Sequence, residues 1–249
     1  MNRPFFSPES ACTVSRTRRE FLRDAAGLAL GSAVMQASPF ARAESVRKKR
    51  KIVVVTFGGG ARDQETFAPE GQENIPHMLS EMAPQSSFFT HVTNQGILGH
   101  YAATASLATG VYETLNNFAS VAPEHPTVFE YFRKELKRPS SDAWVVAPSN
   151  GFHRIGESEV RGFGPGQGAR VILPKRLLGL ASSGGNGFQH HRTGDAASRT
   201  TWMMVLGAGV RQGVVYDTPV ESIDLVPSIG AMAGFSPSRS SGKIIRELV

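Results

Sequence analysis

Apolar positions fall in short runs along this chain, and the period of each run predicts an element. Ile52–Phe57 is a near-continuous β-branched run closed by Gly58, Gly59 and Gly60. A run with no polar alternation predicts a strand covered on both faces, the habit of parallel sheets. Phe88–Val92 predicts a second strand, and residues 143–149, AWVVAPS, another buried one ending at Pro148. Val171–Leu173, TTWMMVLGAG around Trp202–Leu206, and the strand-and-turn GVVYDTPV complete the set. Between them lie helical stretches. Pro76 suits the first turn of a short helix over Ile75–Met82, and Tyr101–Ala108 is helix-compatible up to Thr109-Gly110. Val128, Phe129, Phe132 and Leu136 form a helical stripe with Thr127 as N-cap. ESIDLVPSIGAMAGF predicts a helix with Ser222 or Asp224 as N-cap, Pro227 in its first turn and Gly234 ending it. Strands alternating with helices predict an α/β layered fold with a largely parallel sheet.

Residues 151–187 differ in character, rich in glycine and polar residues with one candidate helix, Lys175–Leu180. Ligands of open parallel sheets bind beyond the carboxyl ends of the strands. The loops to inspect are therefore Gly58–Gln64, Asn94–Thr104 and Pro148–Arg154.

Charge alters the picture through its position. Residues 1–51 carry eleven Lys/Arg against four Asp/Glu, whereas residues 52–249 carry sixteen against seventeen. The basic balance is a terminal feature, and no nucleic-acid surface follows from it. Within that terminus, Arg18-Arg19 precede Phe21-Leu22, a mild apolar stretch Ala25–Ala37 and the small-x-small pattern Ala41-Arg42-Ala43. The order resembles a twin-arginine export signal, residues 1–43, cleaved after Ala43 and read by the twin-arginine machinery. The apolar stretch is too short for a stable membrane anchor. The expected destination is the periplasm or the exterior. Residues 44–51, with RKKRK, then form a basic linker, and residues 52–249 the folded domain. Cys12, the one cysteine, lies in the leader, so the mature chain would have no disulfide, thiolate site or cysteine nucleophile.

Asp63 and Glu65 follow the glycine-rich turn and offer hard oxygen ligands, while the turn lacks the nucleotide-binding spacings. Thr104, Ser106 and Thr109 are hydroxyls of the helix that His100 introduces; the latter two read as packing residues. In GFQHHRTGDAASR, His190 and His191 are candidate nitrogen ligands, Asp195 a carboxylate to orient an imidazole, and Arg199 an anion partner. His77, His91, His125 and His153 read as solvated loop histidines.

Together these pieces resemble the alkaline phosphatase superfamily of metal-dependent phosphatases, phosphodiesterases and sulfatases. The resemblance rests on the opening strand and turn, the helix ending in Ala108-Thr109-Gly110, and the succession His191, Arg199, Trp202–Leu206, Gly207, Thr218-Pro219, Asp224, Pro227-Ser228 and Ala233-Gly234. It covers residues 52–148 and 187–249, and implies a three-layer sandwich with a largely parallel central sheet. The domain then divides into an N-terminal part 52–150, an irregular join 151–187 and a C-terminal part 188–249. The resemblance also implies hydrolysis of small phosphate or sulfate esters with a divalent metal, zinc first, manganese or calcium as alternatives. His191 and Asp63 would be metal ligands, with His100 and Thr104 catalytic. The chain departs from the family in having glycine where the first aspartate ligand follows the first strand. None of its six aspartates has histidine one or four residues later. A lost central part accounts for both its length and the missing ligands. The alternative is a non-catalytic periplasmic binding or structural protein on the same scaffold.

Overall fold

The computed structural model describes residues 51–57, 63–174 and 199–249. Strand β1, Ser86–Thr93, is the axis of a four-stranded sheet. Its sequence, SSFFTHVT, sends Phe89 and Val92 to one face and Phe88 to the other, so both faces need cover. β4, Thr200–Leu206, pairs antiparallel along nearly its whole length, from Ser86 opposite Leu206 to Thr93 opposite Thr200, with an irregularity between Phe89 and Val92. The other edge of β1 takes two short parallel strands in succession, β5, Val214–Tyr216, and β6, Val220–Glu221. A separate pair, β2, Trp144–Val146, and β3, Arg170–Ile172, is parallel.

The architecture is mixed α/β as expected, but the main sheet is mixed, and its longest pairing is antiparallel. The apolar run of β4 is partly covered on both faces, and such cover does not determine strand direction. One face of β1 and β4 packs Phe89, Val92, Met203 and Val205 against Val220, Ile245 and Leu248. The opposite face carries an aromatic cluster in which Trp202 meets Phe67 edge-on at 4.8 Å between centroids and stacks near Phe88 at 6.1 Å.

Two further expectations are corrected. Ile52–Phe57 is not a strand: it joins no ladder among the described residues, and Val53 and Val55 are 83% and 67% exposed. β-branched composition favours a strand only where a neighbour supplies an edge and a surface. β2 is likewise open to solvent at Trp144 and Val146, because it belongs to a two-stranded sheet. Helicity is present over 76–82, with π geometry at Met78–Met82, and Ile75 stays outside it. The expected helix Lys175–Leu180 lies outside the described residues.

Three α-helices follow the sequence closely: α1, His100–Thr109, α2, Val128–Glu135, and α3, Leu225–Ala233. α2 and α3 share a core of Tyr131, Ile229 and Phe235. α1 packs Tyr101 and Ala105 against Leu115 and Ile155. Thr127 caps α2 with a reciprocal box: its hydroxyl accepts from the Glu130 amide at 3.4 Å, and the Glu130 carboxylate accepts from the Thr127 amide at 2.6 Å. That carboxylate, in a residue 0% exposed, also accepts from the Ser158 amide at 3.2 Å, the Ser158 hydroxyl at 2.8 Å and the Gly164 amide at 2.6 Å. One side chain therefore caps a helix and fixes the loop between β2 and β3.

α1 ends at Gly110, whose φ of 70° is the left-handed conformation that terminates helices. The carbonyl of Gly110 accepts from the Ser240 hydroxyl and the amides of Ser241 and Gly242. A Cβ there would lie 2.2 Å from Ser240 Oγ and 2.9 Å from Val226 Cβ. No helix among the described residues is long and apolar enough to cross a membrane.

Two stability outcomes follow. Glu130→Ala orphans several buried donors and should lower the unfolding free energy by at least ~3 kcal/mol, at about 1–3 kcal/mol per unsatisfied group. Gly110→Ala combines a left-handed backbone with overpacking and should cost ~2 kcal/mol or more. Urea denaturation of each variant beside wild type measures both; an unchanged midpoint for either would refute its assigned role.

Candidate functional site

The N-terminus of α1 carries the first two expected site residues. His100 and Thr104 lie one turn apart, both partly buried. The Thr104 hydroxyl donates to the His100 carbonyl at 2.7 Å, so its proton is engaged in the helix's own backbone. Asn117 stands in as the cap of α1: its Oδ1 accepts from the Tyr101 amide at 2.8 Å. A Cβ at Gly99 would meet that oxygen at 2.4 Å, so the glycine is needed for the approach. Asp63 opens a 3-10 turn, Asp63–Glu65. Its side chain, together with His190, His191 and Asp195, lies outside the described residues.

Arg199 is engaged with backbone. Its Nη1 donates to the carbonyls of Asn94 at 3.1 Å and Gly96 at 3.0 Å, while the Asn94 amide donates to the Arg199 carbonyl. The residue latches the loop after β1 to the start of β4. The C-terminal motif is also engaged with backbone. The Asp224 carboxylate accepts from the amides of Glu221 and Lys243, and Ser228 Oγ accepts from the Ile245 amide while donating to the Asp224 carbonyl. Asp224 and Ser228 thus hold residues 243–245 against α3.

A constellation absent from the expectations stands beside α1. The Glu113 amide donates to Ser106 Oγ at 2.9 Å, and this turns the Glu113 side chain inward, where it is 0% exposed. Its carboxylate accepts from the amides of Glu124 at 3.0 Å and His125 at 3.1 Å. His125 Nδ1 lies 3.2 Å from the same carboxylate, with the imidazole 39% exposed. With Nδ1 donating, Nε2 carries the free lone pair, the tautomer that a histidine needs as a base or ligand. Glu124 adds an exposed carboxylate, and one donor atom from each of the three residues falls within 4.8 Å of the others. Two oxygens and one nitrogen form a donor set that suits a divalent cation.

His125 was expected to be a solvated loop histidine, and Glu113 drew no attention. The usable signal was the tetrapeptide Pro123–Pro126, PEHP, in which two prolines fix the backbone around a Glu-His pair. Its partner in sequence is eleven to twelve residues away, which no local pattern reveals. Next to it, burial pushes the Tyr101 hydroxyl up to about 12; Arg154 opposes the shift and Glu113 adds to it. That hydroxyl donates to the Val121 carbonyl, closing the loop over the helix. Comparison with known protein families, characterised proteins and solved structures finds no match to this chain.

The tyrosine gives a pH signature. The native chain keeps the Tyr101 proton up to about 12, whereas an unfolded tyrosine releases it from 10.0. Its contribution is therefore complete below pH 10.0 and is lost as pH rises through about 12. Burial also raises Tyr112 and Tyr131, so all three act in the same direction. Urea midpoints should fall across this alkaline window, and Tyr101→Phe should fall less steeply than wild type. Equal slopes would contradict the assignment.

Proposed function

We propose that this chain is an exported protein on the scaffold of metal-dependent phosphate and sulfate ester hydrolases. Its fold would be a three-layer α/β sandwich of the alkaline phosphatase type that lacks its central part. The observation that carries the reading is the ordered succession from His191 through Arg199, Trp202–Leu206, Gly207, Thr218-Pro219 and Asp224 to Ser228 and Gly234. The leader with Arg18-Arg19 and Ala41-Arg42-Ala43 supports twin-arginine export to the periplasm or exterior. His191 and Asp63 would hold a divalent ion, zinc in the first place. Bound there, such an ion polarises an ester oxygen and favours a deprotonated nucleophile. His100 and Thr104 share one face of α1, as residues four apart do, and can present an imidazole and a hydroxyl to the same substrate. For Thr104 to attack, its hydroxyl must leave the His100 carbonyl it now faces.

A second reading, a non-catalytic binding or structural protein on the same scaffold, draws on a specific observation. The Thr104 hydroxyl and Arg199 Nη1 both donate to backbone carbonyls.

Metal content separates the two. The exported wild-type chain should retain near-stoichiometric zinc or manganese and turn over an aryl phosphate or aryl sulfate. His191→Ala should lose the metal and the activity together, and Thr104→Val should lose activity while keeping the metal. A metal-free wild type with no turnover would remove the hydrolase reading and leave the binding or structural one.

A further inference from the structure

We infer that Thr90, His91 and Asp217 form a binding site for a divalent cation, at a point where both edges of β1 leave their regular ladders. The hydrolase reading uses none of these residues. Phe89 pairs with Met203 and Val92 with Thr201, so Thr90 and His91 together oppose Trp202. On the other edge Phe89 pairs with Tyr216 and Val92 with Val220, so the same two residues oppose Asp217, Thr218 and Pro219. Consecutive side chains of a regular strand point to opposite faces, and a bulge re-aims them. Here the irregularity brings Thr90 Oγ1 and His91 Nδ1 to 2.8 Å. Phe89 and Val92, buried on either side, hold the spot on a packed strand.

Three unlike donors converge there. The Thr90 hydroxyl donates to Asp217 Oδ1 at 2.5 Å, and His91 Nδ1 lies 3.3 Å from the same oxygen. With the 2.8 Å contact these separations outline a triangle. Around an ion with bonds of about 2.1 Å, adjacent vertices of an octahedron lie about 3.0 Å apart. The triangle is therefore close to one face of such a shell. The Tyr216 carbonyl, 3.3 Å from Thr90 Oγ1, adds a further oxygen beside it. One imidazole nitrogen among oxygens suits a six-coordinate first-row ion such as Mn²⁺. The side chains of His91 and Asp217 are 53% and 84% exposed, so an ion can enter and keep water in its remaining positions.

The protons now inside the triangle have other places to go. The Thr90 hydroxyl can turn to the Tyr216 carbonyl, which it already reaches, and leave its lone pairs for the ion. The neutral imidazole can carry its proton on Nε2 instead of Nδ1. Neither side chain has to lose a proton to the solvent. Asp217 supplies the negative charge. Among the described residues its salt-bridge partner is His91, so an entering cation displaces no ammonium or guanidinium there.

The test uses the whole chain, stripped with a chelator and then given Mn²⁺ alone. The ion is paramagnetic and broadens nuclear resonances close to it. Amide signals of 89–92 and 215–218 should broaden at low occupancy, in wild type and in His191→Ala alike. Pulsed electron paramagnetic resonance on His191→Ala should show an imidazole nitrogen bound to the ion, and His91→Gln should remove it. His91→Gln and Asp217→Asn, both at exposed side chains, should each raise the dissociation constant by roughly tenfold or more. Thr90→Val should weaken binding, and Thr90→Ser should restore it. Mn²⁺ that broadens no signal of β1 would overturn the inference. So would broadening that disappears in His191→Ala, or an affinity indifferent to both His91→Gln and Asp217→Asn. Broadening at β1 without ester turnover supports this site and removes the hydrolase reading; turnover without that broadening does the reverse. The wild-type spectrum decides the location even if a variant misfolds.

Discussion

The Glu130 carboxylate lies in a residue with no exposed surface and accepts from the amides of Thr127, Ser158 and Gly164 and from the Ser158 hydroxyl. An ionised group removed from water needs its lone pairs met, and here backbone amides meet them. The same device recurs. Glu113 gathers the amides of Glu124 and His125, Glu157 those of Gly166 and Gly168, Asp224 those of Glu221 and Lys243, and Glu135 that of Ser236. The regular elements are short, and long connections run between them. Loop amides have no ladder to join, and a carboxylate offering two oxygens satisfies several at once. Among the described residues, the loops are held by acids acting on backbone.

This arrangement explains what the sequence could and could not disclose. The helices α1, α2 and α3 were legible because their start and stop signals are local: Thr127 before its stripe, Gly110 and Gly234 after theirs. β1 and β4 were legible as strands, since apolar runs of that length between polar breaks have few alternatives. Their relative direction was not, because an apolar run reports burial and not orientation. Ile52–Phe57 failed for the complementary reason: composition describes what a segment can bury, and the described residues supply too little to bury it. Glu113 was not legible as an anchor because the amides it gathers carry no residue identity, and the capping box of Thr127 and Glu130 gave no sign of the contacts Glu130 makes with Ser158 and Gly164, 28 and 34 residues away.

The candidate chemistry shows the same division. Thr104, Arg199, Asp224 and Ser228 stand out in sequence through type and spacing, and each is engaged with backbone atoms. His125, which no motif singles out, is the imidazole placed against a buried carboxylate. Motif spacing and site geometry are separate sources of information. Asp224 and Ser228 fasten residues 243–245 to α3 through backbone contacts.

Ile245 and Leu248 sit in the same core as Phe89 and Val92, delivered there by the contacts of residues 240–245 with Gly110, Asp224 and Ser228. The core on this face of the sheet thus joins residues more than 150 positions apart. A ribosome-bound chain can form α1 or α2 early, but it cannot close this core until residue 248 has emerged. Until then the face of β1 that carries Phe89 and Val92 lacks part of its cover. A holding chaperone acting on that face would meet Phe89 and Val92 before Ile245 and Leu248 do.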